Sequence, residues 1–299
     1  MKALRCLAAA LAAWIGCAFG QDFTDDAALS SAFEEKLGKV AAAGGAMPLG
    51  KAQKALEKTW NGKFPAPESQ PAATGRGGLP GSFLDSAMAA VVAVGTVYKC
   101  GECEKWHQGG FSSGWIFSPD GLVVTNAHVF EGREGDVPGV MLRDGSVFPI
   151  AGVLGGDRDA DVAVFRIDAG GRRLPAKRLA GGASVGEQVY VVSHPQGRLW
   201  SLTAGLISRF HRQDYGGDGR ATDWMAITAD FAGGSSGGPV LNARGEVVGM
   251  VSSTTTAYSD PSECKEHPGP EVQMVFKDCV PLKELKGFLD SAAGDQTPP

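Results

Sequence analysis

The chain has 299 residues, 43% of them hydrophobic and 20% charged, with 43 Gly and 17 Pro. That length holds a full core in one large domain or two smaller ones, and the glycine content favours tight turns over long helices. A formal net charge of −5, without a basic run or an internal repeat, argues against a solenoid and against nucleic acid as a partner.

Lys2 and Arg5 precede 14 uncharged residues, 6–19, a run too short to span a bilayer but suited to a signal-peptide core. Residues 1–20 therefore read as a signal peptide, with Ala18-Phe19-Gly20 as the cleavage site and Gln21 as the mature start. The alternative is a lipoprotein box, Ile15-Gly16-Cys17, anchoring lipid on Cys17, although bulky Trp14 sits where such boxes carry a small aliphatic. Both readings export the protein, to the periplasm or beyond. No other stretch is long and apolar enough to predict a transmembrane span.

Residues 21–82 differ in composition from the rest of the chain. Leu29, Phe33, Leu37 and Val40 recur at helical spacing behind Asp25 and Asp26, and Ala52, Leu56 and Trp60 suggest a second short helix after Gly44-Gly45 and Pro48. Residues 61–81 hold five Gly and four Pro, a linker composition. The segment reads as a helical spacer or packing arm, with a propeptide or inhibitory arm as the alternative.

From Phe83 the pattern changes to short apolar runs: 91–97, 114–117, 122–125, 162–167, 188–193, 225–228, 239–241 and 247–251. Pro119-Asp120-Gly121, Arg143-Asp144-Gly145 and Asn242-Ala243-Arg244-Gly245 supply hairpin turns between such runs. Many short strands with Gly-rich turns predict an all-β sandwich or barrel. Residues 282–289 read as a closing helix after Pro281, and 291–299 as a tail.

In an exported chain, Cys100, Cys103, Cys264 and Cys279 read as two disulfides. Three connectivities are open; closeness in sequence favours Cys100–Cys103 with Cys264–Cys279. Cys100, Cys103, Cys264 and His267 could instead form a zinc set, but secretion favours oxidation and Cys279 would be left over. No metal or other cofactor is expected.

Three motifs carry chemistry. Thr125-Asn126-Ala127-His128-Val129 ends one apolar strand with a histidine. Asp159-Ala160-Asp161-Val162 opens another with an acid, and Gly234-Ser235-Ser236-Gly237-Gly238-Pro239 centres a serine in a glycine-walled turn. Acyl transfer needs this set: a serine is a weak nucleophile until an imidazole takes its proton, and a carboxylate fixes the imidazole's tautomer. Glycines beside the serine let consecutive N–H groups converge where an oxyanion would form. Each motif alone has a bland structural reading; together, in the order His, Asp, Ser, they match chymotrypsin-type enzymes.

Over about residues 84–290 the sequence resembles the trypsin-like serine proteases, in particular their bacterial Deg/HtrA-type branch. The resemblance rests on the three motifs, on Gly114-Trp115-Ile116, on Gly186 to Gly197 with His194-Pro195-Gln196-Gly197, and on Thr203-Ala204-Gly205-Leu206-Ile207-Ser208. It implies two antiparallel six-stranded β-barrels over 83–290 (about 83–182 and 183–280), with the active site in the cleft between them. His128 and Asp161 would come from the first barrel, Ser236 from the second, and the Gly234 and Ser236 N–H groups would form the oxyanion hole. Asp159 would be a neighbour, because Asp161 directly abuts the apolar strand.

Two departures shape the expectation. The branch's PDZ domain is not matched, so its peptide sensing and cage assembly are not expected. Ser235 stands where digestive trypsins carry the acid that receives a new N-terminal amine, so cleavage within the arm should not be needed for activation. Asp230, six residues before Ser236, sits at the offset of the trypsin specificity carboxylate. That predicts a basic preference, whereas the Deg/HtrA branch implies a small or apolar one with Asp230 as a structural acid. The sequence thus points to an exported serine endopeptidase acting on protein or polypeptide. The alternative is a non-catalytic, chaperone-like or binding module on the same fold.

Overall fold

The computed structural model describes residues 23–60, 62, 80–214, 221–259 and 271–290. The signal segment, Cys17, most of the Gly/Pro linker, Cys264, His267 and the tail lie outside the described residues. Among those described, no helix is long and apolar enough to cross a membrane.

Helix α1 (Asp26–Ala42) starts where the carboxylate of Asp25 accepts the Ala28 N–H at 2.9 Å, satisfying a donor that the first turn leaves without a partner. Its stripe buries Phe33 and Leu37 completely, which at roughly 1.5–3 kcal/mol per side chain holds the helix on the barrel. Helix α2 (Leu49–Lys58) follows Pro48 and buries Leu49, Ala52 and Leu56. Helix α3 (Pro80–Ala90) occupies the stretch before the first expected strand run, where the sequence predicts no element. It gives way to strand at Val91-Val92, where β-branching favours extended backbone.

Twelve strands follow among the described residues. β1 (Val91–Lys99), β2 (Trp106–Ser118), β3 (Leu122–Thr125), β4 (Val137–Met141), β5 (Val147–Asp157) and β6 (Val162–Ile167) close an antiparallel barrel in the order β1-β2-β3-β6-β5-β4. β7 (Gln188–Ser193), β8 (Ser201–Gln213), β9 (Thr222–Ile227), β10 (Pro239–Asn242), β11 (Val247–Tyr258) and β12 (Val272–Pro281) close the second in the order β10-β11-β12-β9-β8-β7. Helix α4 (Leu282–Leu289) completes the expected all-β architecture.

Three apolar clusters hold this arrangement. All six strands of barrel one feed the first, through Val92, Val94, Ile116, Val123, Val140, Ile150 and Phe165. All six strands of barrel two feed another, through Val191, Ile207, Met225, Val240, Val248 and Cys279. The last joins the barrels and the helices: Phe33, Trp115, Val164, Trp200, Met250 and Phe288 belong to it. The cleft residues are therefore carried by two closed barrels packed on each other.

Candidate active site

His128 lies in a short 3-10 turn (Ala127–Phe130) directly after β3, and Asp161 in the turn before β6. Asp161 has a left-handed backbone, φ +55°, a strained state for a non-glycine residue. That turn aims both carboxylate oxygens at His128. Oδ2 accepts from the imidazole Nδ1 at 2.8 Å and Oδ1 from the His128 backbone N–H at 3.1 Å. Asn126 Nδ2 donates to the Asp161 carbonyl at 2.9 Å and braces the turn. Asp159 is exposed two residues earlier.

The third partner of the carboxylate comes from barrel two. Ser252 Oγ donates to Asp161 Oδ2 at 2.9 Å, and the Ser252 carbonyl accepts the Ser236 hydroxyl at 3.1 Å. Ser252 thus connects the acid of one barrel to the serine of the other. Among the described residues, no hydrogen bond joins Ser236 Oγ directly to His128. Burial opposes a charged His128, but the hydrogen bond and negative charge of Asp161 outweigh it and raise the imidazole pKa above its ordinary value.

Ser236 sits between β9 and β10 in a turn that only glycine permits. Gly234 and Gly237 have φ of +93° and +85°. A Cβ on Gly237 would collide with the Ser113 carbonyl and the Thr125 hydroxyl, and one on Gly234 with the His194 carbonyl. The Gly233 carbonyl accepts the Gln196 N–H at 2.7 Å. Since C=O and N–H point oppositely across a trans peptide, this bond turns the Gly234 N–H the other way. Neither the Gly234 nor the Ser236 N–H donates to any described group.

Ser113 on β2 fixes this turn from barrel one. Its N–H donates to the Ser236 carbonyl at 2.9 Å and its hydroxyl to the Gly234 carbonyl at 2.9 Å. The hydroxyl has one hydrogen, so its 2.9 Å contact with His194 Nδ1 makes the imidazole the donor. His194 is fully buried, and burial pushes its pKa down to about 3, keeping it neutral. Ser235, at the position of the trypsin acid, is fully buried, and its hydroxyl accepts from Ser193 Oγ at 3.0 Å. A neutral hydroxyl pair fills that place.

A cavity of about 620 Å³ opens beside His128, walled by Gln53, Leu56, Glu57 and Trp60 of the N-terminal arm and by Arg158. This cavity is formed by the arm and barrel one, and reaches His128 and Asp161 without including Ser236. A larger cavity of about 820 Å³ on barrel two, beside Phe210, Trp224 and Leu282, contains none of the three motif residues and lies apart from this chemistry.

Of the two readings of Asp230, the arrangement agrees with the structural acid: its side chain is 83% exposed and pairs with Lys277 Nζ at 2.8 Å. The Cys100–Cys103 bridge is not formed, since the sulfurs stand 3.5 Å apart at the exposed tip of the β1–β2 hairpin. Cys279 is enclosed in barrel two, where burial and the charge of Asp278 raise its thiol pKa. Sequence reasoning gives no role to Ser113 or Ser252, because an isolated serine on a strand carries no signal until the barrels are joined.

Two six-stranded barrels packed together, with a histidine–acid pair on one and a glycine-walled serine on the other, define the chymotrypsin-type class of protein. Residues 112–250 match the trypsin-like peptidase domain family. HhoA of Synechocystis sp. (strain ATCC 27184 / PCC 6803 / Kazusa), whose name provisionally makes it a serine protease, is 37% identical over 145 residues, 47% of this chain and 36% of that protein. The mitochondrial serine protease HTRA2 of Drosophila pseudoobscura pseudoobscura is 34% identical over 185 residues, 60% of this chain and 39% of that protein. Residues 112–250 are thus similar to trypsin-like peptidase domains, including those of Deg/HtrA-type relatives, and the chain spans well under half the length of these relatives.

Proposed function

We propose that the chain is an exported serine endopeptidase acting on protein or unfolded polypeptide. Ser236 Oγ attacks the scissile carbonyl, His128 takes its proton, and Asp161 holds the imidazole in the tautomer that leaves Nε2 free to accept. The tetrahedral oxyanion binds the Gly234 and Ser236 N–H groups. Collapse of that intermediate gives an acyl-enzyme on Ser236, with His128 returning the proton to the leaving amine. Water, deprotonated by the same imidazole, then releases the acid product and restores the serine.

The observation that carries this reading is the three-fold bonding of the Asp161 carboxylate by the His128 N–H, the His128 ring and Ser252. It orients the base and ties it to the barrel that bears the nucleophile. The Ser236 hydroxyl leaves the Ser252 carbonyl for His128 by rotation about its own Cα–Cβ bond, a change of partner common when a substrate arrives. The paired, exposed Asp230 supports a small or apolar preference over a basic one. Export rests on the signal-like residues 1–20.

One observation favours the non-catalytic alternative: the Ser236 hydroxyl is engaged by Ser252 and not by the base. Labelling with a fluorophosphonate probe separates the two. The proposed enzyme reacts covalently at Ser236 and the Ser236→Ala protein does not. A folded wild-type chain that neither labels nor cleaves unfolded protein would establish the alternative.

A further inference from the structure

The β1–β2 hairpin holds a cluster that the peptidase chemistry does not use. Its closing pairs are Tyr98 with His107 and Lys99 with Trp106, leaving residues 100–105 as the tip. Cys100 and Cys103 stand in that tip, and His107 lies at the start of β2, one turn of chain beyond. The Cys103 sulfur is 3.5 Å from the Cys100 sulfur and 3.1 Å from His107 Nε2. All three donor atoms lie within 4.8 Å of one another.

These separations suit one ion better than a covalent bridge. Two sulfurs on a tetrahedral zinc at about 2.3 Å stand roughly 3.8 Å apart, and a sulfur and an imidazole nitrogen roughly 3.6 Å. A disulfide needs about 2.05 Å and gives His107 no part. The backbone of the tip suits this approach of the two sulfurs: Gly101 adopts φ +84°, a left-handed turn that brings Cys103 back to Cys100. The His107 ring is steadied against Tyr98, with centroids 5.6 Å apart, and this leaves its Nε2 directed at the sulfurs.

We propose that Cys100, Cys103 and His107 form a binding site for a thiophilic divalent cation, Zn²⁺ being the ion that fits the donor set. Binding displaces the thiol protons to solvent and takes the imidazole as the neutral base, so two thiolates balance the ion's charge. Three protein donors leave the fourth tetrahedral position to water. The ion clamps the far end of β2, the strand that further on supplies Ser113 to the Ser236 turn. The proposal is independent of the peptidase reading and uses none of its residues.

The test uses the purified, reduced full chain, with Zn²⁺ titrated against a chromogenic chelator and Co²⁺ as a spectroscopic substitute. One ion per chain is expected, with thiolate-to-cobalt charge-transfer absorption. Cys103→Ser should abolish that absorption, and His107→Gln should weaken zinc binding about tenfold or more. The tip is exposed, so circular dichroism of both variants should match the wild type. Zinc affinity unchanged in His107→Gln, or no charge-transfer absorption in the folded wild type, would overturn the assignment. So would a Cys100–Cys103 disulfide that stays closed under mild thiol reductant in the presence of Zn²⁺.

Discussion

The two barrels present their functional groups by different physics. Barrel one positions His128 with charge: a carboxylate on a strained turn, accepting three hydrogen bonds, fixes the imidazole and raises its pKa. Barrel two holds the Ser236 turn, among the described residues, through groups that carry no charge themselves. Glycine conformations, backbone bonds, the Ser193–Ser235 hydroxyl pair and a neutral buried His194 hold it in place. The charged half should respond to pH and to loss of charge, and the neutral half to loss of packing and hydrogen bonds.

The largest effects should come where the halves meet. Ser236→Ala and His128→Ala should each lower kcat/KM on an unfolded protein substrate by about 10⁴- to 10⁶-fold, and the double variant should be little worse than either. Near-normal turnover by Ser236→Ala would break the assignment of the nucleophile. Asp161→Asn should cost about 10⁴-fold, since an amide reverses the hydrogen-bond demand on Nδ1. It should also move the acid limb of the pH profile. In the wild type, rate should rise with pH through a midpoint above the ordinary histidine value of about 6.5, because Asp161 favours the imidazolium. Removing the charge should lower that midpoint; an unmoved limb would show that Asp161 does not set it.

Ser113→Ala probes the neutral half. It removes the donor to the Gly234 carbonyl and the partner of His194 Nδ1. At about 1–3 kcal/mol for a buried group left unpaired, kcat should fall about tenfold to a hundredfold. The acid-limb midpoint should stay where it is. A shifted midpoint would mean that the two halves are not separable in this way.

The contrast also explains which parts of the molecule are legible in the sequence. β3, β6, β7 and α4 have their expected bounds because each is a run of apolar residues buried on both faces or closed by a turn signal. β8 shows no such signal because it turns Leu202, Leu206 and Phe210 outward and has no buried run. β12 does the same with Val272, Met274 and Phe276, and β5 is broken by register shifts around its glycines. α3 is hard to tell from strand because Phe83 to Ala90 is largely apolar, without a strand's alternation. At the site, His128, Asp161 and Ser236 stand out because chemistry requires those residue types beside strands. His107 lies four residues after Cys103, a spacing present in the sequence, whereas Ser113 and Ser252 depend on which strands become neighbours. So does Asp230, whose ion-pair partner, Lys277, lies on a strand distant in sequence.

The remaining expected effect is on stability, is slight near neutral pH, and concerns the two histidines. His128 has a raised pKa in the fold, so its contribution is fully present below its unfolded value of about 6.5 and is lost as pH rises through the folded value. His194 has the opposite sign. Burial lowers its pKa to about 3, so between about pH 6.5 and that value the unfolded chain holds a proton that the folded chain refuses. Each unit of acidification over that window should therefore destabilise the fold by about 1.4 kcal/mol through this residue alone. His194→Asn offers an amide N–H near the Nδ1 position, keeping a donor for Ser113 while removing the titratable ring. It should be less stable at pH 7, having lost the edge-on contact with Trp200 at 5.2 Å, yet its urea midpoint should fall less steeply with acid than that of the wild type. Equal slopes in the two proteins would mean that His194 takes up its proton in the folded state, and that the serine half is not neutral after all.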